Sequence, residues 1–158
     1  MPTPRNPSGI ERLSPRLNEQ ELFERFMGEF GGDNSVELTD VIGNDLLIDR
    51  CLFEDSKGNW KIMKGDRAPW LLYTAVNIKT PDEIWVQNGK QGSIDKLYYL
   101  SRFETGKSGL LSCIAVFIRE QESSGLWIGR TNFATTRDDG YLDSKRGIGD
   151  LKYWRWER

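Results

Sequence analysis

Residues 61–87 read KIMKGDRAPWLLYTAVNIKTPDEIWVQ, and the change of period inside this stretch decides the fold. Leu71, Leu72, Ala75, Val76 and Ile78 recur at helical spacing, so residues from about 67 to 79 form an amphipathic helix with one apolar face. Asp66 is the expected N-cap. Pro69 is tolerated in the first turn, because its missing N–H would have no intrahelical partner. Pro81 then forces Thr80 out of helical geometry. The next residues, EIWVQ, are short, aromatic and β-branched, which is strand chemistry. A helix is therefore delivered onto a sheet at a tight corner, and the corner carries two carboxylates, Asp82 and Glu83.

Downstream of the corner the text is strand after strand. KLYYLSRFE (96–104) is aromatic-rich and semi-alternating, LLSCIAVFIRE (110–120) is nearly all apolar, and GLWIGRTNFATT (125–136) alternates imperfectly. The near-continuous apolar run is a central strand covered on both faces. The connectors are short and hold Asn, Gly, Ser and Lys, so neighbouring strands are antiparallel. DDGYLDSKRG (138–147) holds one helical turn, and residues 150–156 add an edge strand. Upstream, Asn18 caps a helix to about Phe30, with Leu22, Phe23, Phe26, Met27 and Phe30 on one face. That face packs either on its own domain or on a partner protein. Residues 36–55 hold one or two extended segments around Gly43-Asn44. Pro2, Pro4, Pro7 and Pro15 make residues 1–17 an extended, mobile arm. The expected architecture is α+β: N-terminal helices packed on a four- to five-stranded antiparallel β-meander. Its divisions are an arm (1–17), an amphipathic helix and linker (18–35) and the α+β domain (36–158).

With 158 residues, 37 % of them hydrophobic, the chain can bury one ordinary core. No apolar run reaches bilayer length, so no membrane partner is expected. There are two cysteines, no C-x-x-C and no histidine. The usual soft-ligand metal sites and the commonest neutral-pH acid/base are therefore missing, and no cofactor is expected. Charge is uneven: residues 1–87 carry 10 basic and 15 acidic side chains, residues 88–158 carry 12 and 9. The mildly basic second half points to an anionic partner.

Alternation puts Lys96, Tyr98, Leu100 and Arg102 on one face of their strand. Arg130 and Asn132 share a face opposite Thr131, Phe133 and Thr135. Thr135-Thr136 end that strand, and Tyr141, Lys145 and Arg146 follow closely enough to swing back over the sheet. Arg is a planar fork for a phosphate, Lys a point charge, and Thr and Tyr add hydroxyl donors. Cleavage of a phosphodiester by its own ribose 2′-hydroxyl needs such a set: a proton acceptor, a donor to the leaving oxygen, and cations around the pentavalent phosphorus. Lys, Tyr, or a corner carboxylate (Asp82 or Glu83) could take the acid/base roles. The same residues also fit an ordinary solvated charged face. Trp154 and Trp156, interleaved with Lys152 and Arg155, are core residues or stacking platforms for unpaired bases.

These words, in this order, resemble a known family. The segment VIGNDLLIDRCLFEDSKGNWKI, a helix, TPDEIW, a strand with YYLSRF, a long apolar strand, LWIGRTNFATT, and YLDSKRG with a last strand resemble the phage-associated nuclease-like domains of the Barnase–EndoU–colicin–RelE superfamily. The branch is the one found at the end of Mu F-like head-morphogenesis proteins. The resemblance covers about residues 36–156 and implies metal-independent RNA cleavage in a toxin-like, phage or prophage setting. The implied catalytic residues are Arg102, Thr135, Thr136, Tyr141, Lys145 and Arg146, with Lys96, Tyr98, Arg130 and Trp154 binding substrate. Many members place a histidine in the site, so this chain is a histidine-free variant or an inactive member. The partners that follow are RNA (single-stranded or tRNA), a cognate immunity protein, and a phage or delivery-particle protein held by residues 1–35. The location is the host cytoplasm or the virion. The alternative is a non-catalytic phage structural or interaction module on the same fold.

Overall fold

The computed structural model describes residues 2–90, 93–106, 109–120, 125–137 and 140–155, with Tyr141 by its backbone alone. Trp156 lies outside the described residues. The chain runs α1 (Glu19–Gly28), β1 (Ser35–Thr39), β2 (Asp45–Asp49), a 3-10 turn at Arg50–Phe53, a second at Ala68–Trp70, α2 (Leu71–Lys79), β3 (Glu83–Gln87), β4 (Ile94–Glu104), β5 (Leu110–Glu120), β6 (Trp127–Thr135), α3 (Tyr141–Lys145) and β7 (Asp150–Trp154). Among the described residues the seven strands form one sheet in the order β1-β2-β6-β5-β4-β3-β7.

The α+β class is as expected, but the sheet is larger than a four- to five-stranded meander and it is mixed. The antiparallel meander β3-β4-β5-β6 is its centre. β7 extends it antiparallel to β3, and the β1–β2 hairpin joins at the other edge, with β2 parallel to β6. The parallel joint was illegible because more than seventy residues separate its strands and local turn chemistry says nothing about it. Asp66 does not cap α2. Arg67 and Trp70 occupy the cap positions, neither giving a side-chain cap bond.

One face of the sheet is sealed. Ile84, Leu97, Tyr99, Phe103, Leu111, Cys113, Ala115, Phe117 and Ala134 point toward α1 and α2 and are buried. The aromatic face of α1 belongs to this core: Phe26 meets Phe53 edge to face at 4.8 Å, and Phe23 meets Trp60 at 5.5 Å. The helix therefore presents no free aromatic face to a partner. A capping box fixes its start, with Asn18 accepting from the Glu21 N–H and Glu21 accepting from the Asn18 N–H.

Residues 2–17, expected as a mobile arm, lie against the domain. Past Glu83, strand β3 no longer covers β4, and Arg5 fills the gap. Its N–H donates to the Arg102 carbonyl at 3.0 Å, and its carbonyl accepts from the Glu104 N–H at 2.9 Å. Leu13 is buried in the main core. The Arg5 guanidinium lies 3.2 Å from Asp82, and burial pulls its pKa down, with Asp82 opposing.

Candidate functional site

The opposite face of the sheet is only partly covered. In β6 the side chains alternate: Asn132 and Ala134 are buried toward α2, while Thr131, Phe133 and Thr135 on the other face remain partly exposed. Three register rows cross this face. Trp85, Tyr98, Val116 and Thr131 make one. Trp154, Glu83, Leu100, Ile114 and Phe133 make the second, across five strands. Arg102, Ser112 and Thr135 make the third. Side chains directly opposite on adjacent strands sit about 5 Å apart, so the third row sets a guanidinium and two hydroxyls side by side over about 10 Å.

Short helix α3 lies over these rows. Gly140 enters it with φ +77, a left-handed conformation that glycine adopts without strain. Leu142 is buried against Tyr98, Leu100, Ile114 and Val116. That apolar anchor explains how the flanking polar residues reach the sheet. Asp143 accepts from Arg102 Nη2 at 3.0 Å. Lys145 Nζ lies 5.9 Å from the Tyr98 ring centroid. Arg146 clamps Glu83, with Nε 3.1 and 3.0 Å from the two carboxylate oxygens and Nη2 3.0 Å from Oε1. The Trp154 ring centroid lies 5.9 Å from the Arg146 Cζ.

Arg102 and Arg146 differ in kind. Asp143 is 61 % exposed, and an exposed pair contributes about 0–1 kcal/mol, so an incoming anion can take its place. One N–H of the Arg102 fork is engaged there, and a guanidinium has five. Glu83 is fully buried. Its pairing with Arg146 cannot be exchanged for a ligand without stranding a buried charge. Arg146 therefore ties α3 to β3, and Arg102 is the cation available to an anion.

The sequence-derived residues thus divide. Arg102, Thr135, Lys145 and Arg146 lie on the same face, and α3 brings the last two back over it. Thr136 is exposed, one residue past the end of β6. The Tyr141 side chain lies outside the described residues. Lys96 and Tyr98 share the Arg102 face, but six and four residues away along the strand, about 20 and 13 Å. The Tyr98 hydroxyl donates to Gln87 Oε1 at 3.0 Å. Arg130 sits at the register shift of β6, exposed, in a separate cleft of about 530 Å³ that also holds Glu54, Asp55 and Lys61. Asn132, expected to share its face, is buried against Thr74.

The corner carboxylates are not free bases. Asp82 is fully buried on the helix side, between Arg5 and Arg155, and accepts from the Arg102 N–H at 2.9 Å. Glu83 is held by Arg146. Ser112 and Asp143 were missed. The signal for Ser112 was there, as a lone hydroxyl interrupting an apolar strand. Asp143 could not be placed without knowing how α3 turns. Among the described residues, no three or more His, Cys, Asp or Glu side chains gather so as to hold a metal ion.

No curated protein and no solved structure matches the chain. The family described as phage-Barnase-EndoU-ColicinE5/D-RelE like nuclease2 matches residues 22–154, from α1 to the end of β7. The chain belongs to this family of phage-associated, nuclease-like domains.

Proposed function

We propose that the protein is a metal-independent endoribonuclease that cleaves RNA by attack of a ribose 2′-hydroxyl on the adjacent phosphate. The observation that carries this reading is the Arg102–Ser112–Thr135 row, with its arginine paired to the exposed carboxylate of Asp143. The scissile phosphate displaces Asp143 from Arg102, whose fork then neutralises the equatorial oxygens. The Ser112 and Thr135 hydroxyls donate to the same phosphate. Asp143, released beside the phosphate, takes the 2′ proton as the O2′–P bond forms. The P–O5′ bond breaks, and the Lys145 ammonium gives its proton to the departing 5′-oxygen. The products are a 2′,3′-cyclic phosphate and a 5′-hydroxyl, with one proton moved from ribose to Asp143 and one from Lys145 to product. The phage setting of the family supports a toxin-like role inside a host cell and, with it, a cognate immunity protein.

The test uses the purified chain, end-labelled RNA and a chelator. Cyclic phosphate ends are expected, together with no cleavage where the 2′-hydroxyl is replaced by hydrogen. Arg102→Ala should lower kcat/KM about 10²–10³-fold while the fold persists, since its backbone bonds to Asp82 and Arg5 remain. RNA left intact by folded wild-type protein after long incubation refutes the proposal. One observation favours a second reading, a non-catalytic interaction module: both arginines over the sheet already have carboxylate partners. In that case Arg102→Ala weakens association with a partner and changes no bond cleavage.

A further inference from the structure

We propose that Arg5 is a positioning residue for Arg102, and that residues 2–8 form a strap on which the working geometry of the candidate site depends. This rests on the nuclease reading of the Arg102 row. The strap comes from outside the nuclease-like domain, whose match begins at residue 22. Strand β3 begins at Glu83, opposite Leu100. Among the described residues, no strand of the sheet therefore covers 101–104 of β4 on that side, while β5 pairs with them on the other. The Arg102 N–H, the Arg102 carbonyl and the Glu104 N–H all make their hydrogen bonds on the uncovered side.

Arg5 acts on all three of these groups. Its N–H donates to the Arg102 carbonyl at 3.0 Å, and its carbonyl accepts from the Glu104 N–H at 2.9 Å. The Arg102 N–H donates to Asp82 Oδ2 at 2.9 Å, and the Arg5 Nε lies 3.2 Å from the other oxygen of that carboxylate. Arg5 Nη2 donates to Ser101 Oγ and Nη1 to Thr80 Oγ1, each at 3.1 Å. The Arg5 Cζ lies 4.7 Å from the Phe103 ring centroid. One side chain thus grips both neighbours of Arg102 and the carboxylate that holds its N–H. Successive strand residues point to opposite faces. Ser101 and Phe103 therefore lie on the helix side with the Arg5 guanidinium, while the Arg102 guanidinium stands on the other face. Arg5 acts through Arg102 and not on the phosphate. Arg155, the second cation on Asp82, donates to the Thr3 carbonyl at 3.0 Å and ties the strap to the end of β7.

A long side chain magnifies any tilt at its Cα, and a misplacement of about 1 Å at a reacting centre costs about 10²-fold in rate. The experiment uses the full chain and two readouts. The first is steady-state cleavage of end-labelled RNA with a chelator present, at a temperature where thermal melts show every variant folded. Arg5→Ala should lower kcat about ten- to hundredfold and leave KM within about twofold, the pattern of an interaction made only in the transition state. Arg5→Lys keeps a cation beside Asp82 and should recover most of kcat. Arg16→Ala removes an exposed cation of the same N-terminal segment and should leave kcat within about twofold. The second readout is amide hydrogen exchange. In Arg5→Ala the Arg102 and Glu104 amides should exchange about tenfold faster or more, while amides at the centre of β5 keep their wild-type protection. A role in stability alone lowers Tm and leaves kcat of the folded variant at the wild-type value.

Wild-type kcat in folded Arg5→Ala overturns the proposal and leaves the nuclease reading standing. So does a loss confined to KM, or unchanged exchange at Arg102 and Glu104. Wild-type protein that cleaves no RNA overturns the nuclease reading and with it the positioning role. Faster exchange in Arg5→Ala then marks the strap as an anchor of the β4 edge and nothing more.

Discussion

Replacing Arg146 by Ala tests whether this residue acts through the fold or on a substrate. Glu83 is fully buried, and the Arg146 side chain is 29 % exposed. Breaking a buried pair by removing one partner costs about 3–5 kcal/mol, because the remaining charge has neither water nor a counter-ion. Solvent reaches the arginine, so the lower end applies, about 3 kcal/mol. For a chain of this length each kcal/mol moves Tm by about 2–4 °C, giving a loss of about 9 °C. The assay is thermal unfolding followed by circular dichroism at neutral pH and moderate salt. The Arg146→Ala/Glu83→Leu double variant should recover most of the loss, since an apolar side chain removes the stranded charge. A single variant that melts within 2 °C of wild type refutes the reasoning. It would show that Glu83 has solvent or another partner, and it would return Arg146 to the set of cations free to bind phosphate.

Further outcomes are expected. Asp82→Asn should cost about 3 kcal/mol in a melt, and Arg5→Ala less, because Arg155 still faces the carboxylate. At Gly149 an added Cβ would lie 1.9 Å from the Val86 carbonyl oxygen, so Gly149→Ala should detach β7 and weaken protection of β3 amides in hydrogen exchange. At pH 8 a thiol reagent should titrate one group per native chain, exposed Cys51, and two after unfolding. Burial pushes the Cys113 thiol well above its usual value, so its contribution to stability is full below about pH 8.5 and shrinks as rising pH ionises the unfolded thiol. Asn18→Ala should remove the capping box at a cost of about 1 kcal/mol, read as a 2–4 °C fall in Tm.

What the sequence disclosed follows from how local each signal is. Strand β5 was readable to the residue, because an apolar run between turn residues needs no partner to be recognised. The corner at Pro81 was equally plain, since proline acts on its immediate neighbour. The two-residue period gave the face shared by Arg102 and Tyr98. It could not say that β2 would pair with β6, nor that the register would set Arg102, Ser112 and Thr135 in one row. Those depend on contacts between strands distant in sequence. Arg130 was misjudged for a related reason: the shift opposite Val116 and Phe117 breaks the alternation on which its face assignment rested. The proline-rich start misled because proline content reports backbone stiffness. It gave no sign that Arg5 would find an uncovered strand edge and a buried carboxylate.

The two carboxylates at the corner now have a physical account. Adjacent residues entering a strand point to opposite sides of the sheet, so Asp82 and Glu83 divide the two faces between them. Below the sheet, Asp82 gathers Arg5 from the N-terminal segment, Arg155 from the end of β7 and the Arg102 N–H. Above it, Glu83 holds Arg146 and thereby the small helix that carries Asp143 and Lys145. The backbone of Arg102 is fixed from below while its side chain works above. A substitution at the corner therefore reaches the candidate site by two routes, through the position of β4 and through that of α3. Loss of activity in an Asp82 or Glu83 variant is consequently no evidence of acid/base chemistry at either residue. Changes at Arg102, Asp143 and Lys145, whose side chains meet solvent and whose loss strands no buried charge, separate catalysis from architecture.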